Sequence, residues 1–172
     1  MVTGALAASY YGRARTTLDM DVVISIRRQQ LGTLVRALSK AHLDVQEERL
    51  LATWKAGYGI ATIEDVKSPH TLDIMFTDKK LERNAGRFLN IPTYYQTAES
   101  LILAKLRMLK VTLEAERTAV DRQDIRAILE AKQIDLTDLP RRARAETTVR
   151  ILDDILQHAK LKAMRSKNRS LG

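Results

Sequence analysis

Apolar residues alternate with other residues over 19–26, where Met20, Val22, Ile24 and Ile26 fall on one side at period two; this predicts a strand. Before it, residues 4–12 read as a short helix of small residues, stopped by Gly12 and followed by the loop 13–17. Leu31, Leu34, Val35 and Leu38 repeat at helical spacing within 29–41. A short strand is expected over 43–46, and two more over 58–65 and 71–76, joined by a turn containing Ser68-Pro69. Residues 79–85 read as a short helix.

Beyond Pro92 the pattern turns helical. Thr97 suits the N-cap of a helix running to Lys110, with Glu99 in its first turn. Further helices are expected over 117–131, over 136–145 with Pro140 in the first turn, and from Val149 through Ala159. The fold class is α+β: a small mixed β-sheet with helices on one face, followed by a helical C-terminal extension. The expected division is a core over 1–92, a helical extension packed on it over 93–160, and a basic flexible tail over 161–172.

Composition changes this picture in three ways. The chain of 172 residues is 45% hydrophobic and 29% charged, enough to bury a core. It has no cysteine, which excludes disulfides and thiolate zinc sites and fits a reducing cytoplasm. No apolar run approaches membrane-spanning length, and the start lacks a basic-then-apolar signal pattern, so no membrane partner is expected. His42, His70 and His158 are scattered, leaving carboxylates as the candidate metal ligands.

The net charge of +8 is uneven: residues 141–172 hold nine basic and three acidic residues, a net of +6, leaving +2 for the first 140. Such an end can bind nucleic acid through counterion release, or be a solvated helix face with a tail.

The sharpest chemical feature is Asp19-Met20-Asp21. On a strand, residues i and i+2 share a face, so the two carboxylates project together. A hard cation such as Mg²⁺ relieves their repulsion; a solvated strand end is the alternative. In Leu72-Asp73-Ile74-Met75-Phe76, the apolar residues take one face and leave Asp73 on the other. If this strand lies beside the first, three carboxylates converge, a set able to hold two metal ions for in-line phosphoryl displacement.

The stretch Gly4-Ala5, Tyr11-Gly12-Arg13-Ala14-Arg15-Thr16-Thr17-Leu18-Asp19-Met20-Asp21 and the apolar run after it resemble the signature of minimal nucleotidyltransferases of the DNA polymerase β superfamily, in their AbiEii-like branch. Leu72-Asp73-Ile74 is similar to that family's third-carboxylate strand, the run 97–106 to its Glu- and Lys-bearing helix, and Asp121-Arg122-Gln123-Asp124-Ile125 to a later motif. The matches run in order over about residues 1–132.

The resemblance implies a Pol β-type fold and Mg²⁺-dependent transfer of a nucleotidyl group from an NTP, ATP included, to a hydroxyl. The acceptor would be RNA, tRNA included, or a protein. It also raises a toxin–antitoxin setting with an antitoxin or homodimer partner, and, as the rival reading, a non-catalytic binding partner of the same fold or a nucleic-acid-binding protein. Asp19 and Asp21 would bind Mg²⁺ and the triphosphate, and Asp73 would complete the metal shell and help activate the acceptor. Gly4, Ala5 and the helix start would cradle phosphate oxygens; Lys105 would neutralise phosphates; Arg15 and Thr17, in the matching loop, would help bind the nucleotide.

Two departures stand out: Ala5 replaces a Gly or Ser, and only Met1, Val2 and Thr3 precede Gly4 where relatives carry a helix and a strand. Either the chain starts upstream of Met1, or the first strand is a stub. Among the remaining candidates, Arg13 reads as a loop charge, Trp54 and Tyr58 as core or pocket wall, and His70 as exposed. Asp121 and Asp124 read as surface residues, with Arg117 placed to pair with Asp121.

Overall fold

The computed structural model describes residues 1–12, 14–57, 59–131, 134 and 137–158. Arg13, Tyr58, Leu136 and the tail over 161–172 lie outside the described residues. The chain forms two compact units, one of residues 1–7 and 14–97, the other of residues 8–13 and 98–172.

The first unit is built on a four-stranded mixed sheet. Its strands are β1 (Asp19–Ile24), β2 (Leu43–Asp44), β3 (Ala61–Asp65) and β4 (Thr71–Phe76), in the order β1-β4-β3-β2. β1 and β4 run parallel, and β3 is antiparallel to both of its neighbours. Two helices, α2 (Leu31–Lys40) and α3 (Glu47–Ala56), supply Leu31, Leu38 and Leu50 to a core shared with Ala61, Ile63, Ile74 and Phe76. Val22, Ile24 and Leu72 pack on the same cluster, so the alternation read from sequence is the buried face of the sheet.

α3 has no counterpart in the sequence expectation. Its signals are local: Glu47 and Glu48 in the first turn, Leu50, Leu51 and Trp54 at helical spacing, and Gly57 closing it at φ +68°. The short helix expected over 79–85 is also absent. Residues 83–88 form strand β5 (Arg83–Phe88), paired antiparallel with β6 (Ile91–Gln96). Good helix formers yield here to ladder hydrogen bonds, a tertiary override of a weak local preference. The helical pattern therefore begins at Ala98, after a strand that contains Pro92, and not at Pro92 itself.

The β5–β6 ribbon joins the main sheet through the first residues of the chain. The Thr3 N–H donates to the Asp21 carbonyl at 2.9 Å, and the Val23 N–H donates to the Met1 carbonyl at 2.9 Å. On the other side, the Val2 N–H donates to the Tyr94 carbonyl at 2.7 Å, and the Gln96 N–H to the Val2 carbonyl at 2.9 Å. Residues 1–3 thus run as a short segment between β1 and β6, with Val2 opposite both Val22 and Tyr95.

α1 (Gly4–Tyr11) follows this segment. The second unit contains α4 (Ala98–Val111), α5 (Ala115–Ala131), α6 (Leu139–Ala145) and a helical segment over 149–158. Its core holds Leu101, Ile102, Leu106, Ile125, Ile128, Leu139, Leu152 and Ile155, all 0–1% exposed. No helix among the described residues is long and apolar enough to cross a membrane.

Candidate active site: carboxylates on two parallel strands

The parallel register of β1 and β4 pairs Asp19 with Thr71 and Asp21 with Asp73. Residues paired across a ladder share a face, so Asp19, Asp21 and Asp73 stand on the face opposite Val22, Ile74 and the helices. Adjacent strands lie about 4.8 Å apart, which makes Asp21 and Asp73 immediate neighbours. Each is partly buried, whereas Asp19, at the strand entrance, is exposed.

Local bonds fix the entrance. The Asp19 N–H donates to Thr17 Oγ1 at 3.2 Å, and the Thr71 hydroxyl donates to Asp19 Oδ1 at 2.8 Å. Thr17 therefore holds the strand start through its side chain. His70 is exposed as expected, with Nδ1 3.2 Å from the Leu18 carbonyl oxygen.

Gly4 meets one of these carboxylates, that of Asp21. It sits at φ +58°, and a Cβ placed there would fall 1.9 Å from Asp21 Oδ2. Only a residue without a side chain lets the start of α1 approach this carboxylate so closely. Ala5, the next residue, is buried. Arg15 is exposed in the loop before β1.

The donor set is all carboxylate, the chemistry of a hard divalent cation. Asp73 Oδ1 is buried without a hydrogen-bond partner, a costly state that a cation ligated there relieves. Among the described residues, no three histidine, aspartate or glutamate side chains stand preassembled as a metal cluster. The register thus brings Asp21 and Asp73 together, with Asp19 beside them and tied to Thr71.

Lys105 lies in the second unit and is 6% exposed. Its Nζ stands 2.7 Å from Asp121 Oδ1 and 2.8 Å from Asp124 Oδ2. The surface placement expected for Asp121 and Asp124 is therefore replaced by a buried three-residue ion cluster. The ammonium and the carboxylates offset one another's desolvation, which makes their burial tolerable.

Trp54 lines a cavity of about 580 Å³ beyond the C-terminal ends of β1 and β4, with Ile26, Arg27, Phe76 and Asp78. Its indole N–H donates to the Ile26 carbonyl at 3.1 Å. This cavity lies at the far ends of the strands from Asp19.

No family model matches the chain, and no curated protein matches it by sequence. Among solved structures it is similar to an antigenic nucleotidyltransferase-like protein from Paracoccidioides brasiliensis, with a TM-score of 0.56, 13% identity, and coverage of 92% of this chain and 83% of that one. At such identity the likeness is one of fold: the chain has a nucleotidyltransferase-like α+β fold.

Proposed function

We propose that the chain transfers a nucleotidyl group from an NTP to a hydroxyl on RNA or protein, releasing pyrophosphate, with Mg²⁺ as the cofactor. The observation that carries this reading is the register of Asp21 against Asp73, with Gly4 directly beneath the Asp21 carboxylate. Asp21 and Asp73, with Asp19, would hold Mg²⁺, which when bound supplies charge neutralisation for the triphosphate and acidifies a nearby hydroxyl.

The chain's own groups do the rest. The start of α1 at Gly4 and Ala5 presents backbone N–H groups to triphosphate oxygens, as helix N-termini do for anions. Gly4 keeps that approach open. Asp73 takes the proton of the acceptor hydroxyl. The acceptor oxygen forms a bond to the α-phosphorus, the bond from that phosphorus to the bridging oxygen breaks, and pyrophosphate leaves with the electron pair. The Thr71 hydroxyl holds one oxygen of Asp19 and fixes the orientation of its carboxylate. Assignment to the AbiEii-like branch, with its toxin–antitoxin setting and a role for Lys105 at the phosphates, rests on the motif resemblance.

The direct test incubates the protein with each radiolabelled NTP, Mg²⁺ and either total RNA or lysate protein. Transfer of label that is lost in Asp21→Ala supports the reading. Absence of transfer to either acceptor, with every NTP, refutes it.

A further inference from the structure

The β5–β6 ribbon presents two different faces. Tyr95 is 2% exposed and shares the buried side with Val2 and Val22, whereas Tyr94 is 49% exposed. Register places Tyr94 opposite Ala85, Pro92 opposite Arg87 and Gln96 opposite Arg83, so these six residues share the outward face. Five of them are exposed, Gln96 is partly buried, and none is acidic. The Arg83 guanidinium stacks 3.9 Å from the centre of the Tyr94 ring. Arg87 donates to the Asn90 carbonyl across the turn and otherwise faces water.

Residues 1–3 determine which sheet face this is. Val2 is opposite both Val22 and Tyr95, so Met1 and Thr3 point to the other side with Asp21 and Val23, and with Tyr94 and Gln96. The Thr3 hydroxyl donates to Gln96 Oε1, a bond made on that side. The arginine–tyrosine face of the ribbon therefore continues the face that carries Asp19, Asp21 and Asp73. β6 is two strand spacings from β1, about 10 Å, and β5 one further.

From this continuity we infer that the outward face of the β5–β6 ribbon seats a single-stranded nucleic-acid acceptor, with Arg83 and Arg87 on its phosphates and Tyr94 with the Arg83 plane as the stacking surface for a base. The inference rests on the nucleotidyl-transfer reading and names the acceptor for that site. Charge complementarity selects the occupant: two guanidinium groups without a carboxylate suit a polyanion, and an exposed aromatic ring beside them suits an unpaired base. A strand lying on the ribbon would lead toward the carboxylates on the same side of the sheet, passing the buried Thr3 and the start of α1 that stand between Gln96 and Asp21.

The test measures binding of a short fluorescein-labelled single-stranded RNA by anisotropy over a salt series, alongside Mg·NTP affinity by calorimetry. Tyr94→Ala is expected to weaken RNA binding roughly 5- to 150-fold, with Tyr94→Phe retaining it, as loss of one stacked base implies. Arg83→Ala/Arg87→Ala is expected to lower the slope of log affinity against log salt by about 1.4, two phosphate contacts on a single strand. Lys40→Ala on α2 serves as the charge control and is expected to bind RNA as wild type does.

Mg·NTP affinity should be unchanged in all these variants. RNA binding equal to wild type in the ribbon variants overturns the inference. So does a wild-type protein that binds Mg·NTP and labels a protein acceptor without binding RNA; that result leaves the nucleotidyl-transfer reading standing. Ribbon-dependent RNA binding without any Mg·NTP affinity would instead sink the nucleotidyl-transfer reading.

Discussion

A side chain on Gly4 cannot coexist with Asp21 as it stands, because a Cβ there would lie 1.9 Å from Asp21 Oδ2. Gly57 provides the matched control: it has a similar left-handed φ of +68°, but its Cβ would meet nothing within 4 Å. Both Gly4→Ala and Gly57→Ala are expected to lose roughly 1–2 kcal/mol of stability from backbone strain. Only Gly4→Ala also displaces the Asp21 carboxylate, so only it should lose Mg·NTP affinity. Thermal melts paired with calorimetric titrations separate the two effects.

The buried ion cluster of the second unit yields a stability prediction. Lys105→Met leaves Asp121 and Asp124 buried without their cation and should cost about 3–5 kcal/mol. Arg107 pairs with Glu146 at 2.8 Å, but its side chain is 53% exposed, and Arg107→Ala should cost less than about 1 kcal/mol. Urea unfolding of both variants reads the contrast. Comparable losses would mean that Lys105 carries no special structural weight.

Acid should uncover the pair between Arg122 and Asp154. The hydrogen bond from the Arg122 guanidinium holds the Asp154 carboxyl below the usual aspartate range, against a smaller opposing effect of desolvation. A depressed folded pKa gives a contribution that is full above the unfolded value and fades as pH falls through the folded one. The stability gap between wild type and Arg122→Ala should therefore be constant near neutrality and close as pH drops below about 4. A gap that widens on acidification would contradict this assignment.

The ribbon turn holds Leu89 and Asn90 at φ +46° and +68°, the two left-handed positions of a tight hairpin. Leucine is poorly suited to that conformation, and Leu89 is 81% exposed, so nothing packs against it. Leu89→Asn should raise stability by about 0.5–1 kcal/mol, seen as a higher Tm. An unchanged Tm would show that the turn carries no strain.

The same turn explains much of what sequence reasoning did not find. Leu-Asn is no hairpin signal, and Gly86 and Asn84 lower the strand character of 83–88, so the ribbon was invisible and 79–85 read as helical. The strands around Asp21 and Asp73 were legible because period-two alternation records a buried face directly. Their adjacency was only a condition, since strand order is a long-range property. The bond of Lys105 to Asp121 spans 16 positions between helices, and no local pattern encodes it. The start and stop signals of α3, an acidic first turn and a closing glycine, are present in the sequence, but the charged run Glu47-Glu48-Arg49 masks the apolar spacing that follows.

The proposed site pairs Asp21 with Asp73 to hold a metal–triphosphate complex. Its most direct test is calorimetric titration of a non-hydrolysable NTP into wild type and Asp73→Asn, each with Mg²⁺ and with chelator. Asp73→Asn keeps the size of the side chain and removes its charge. Wild type is expected to bind only with Mg²⁺, and Asp73→Asn to lose that binding while melting near the wild-type temperature. Binding that ignores the chelator, or survives equally in Asp73→Asn, would contradict the account.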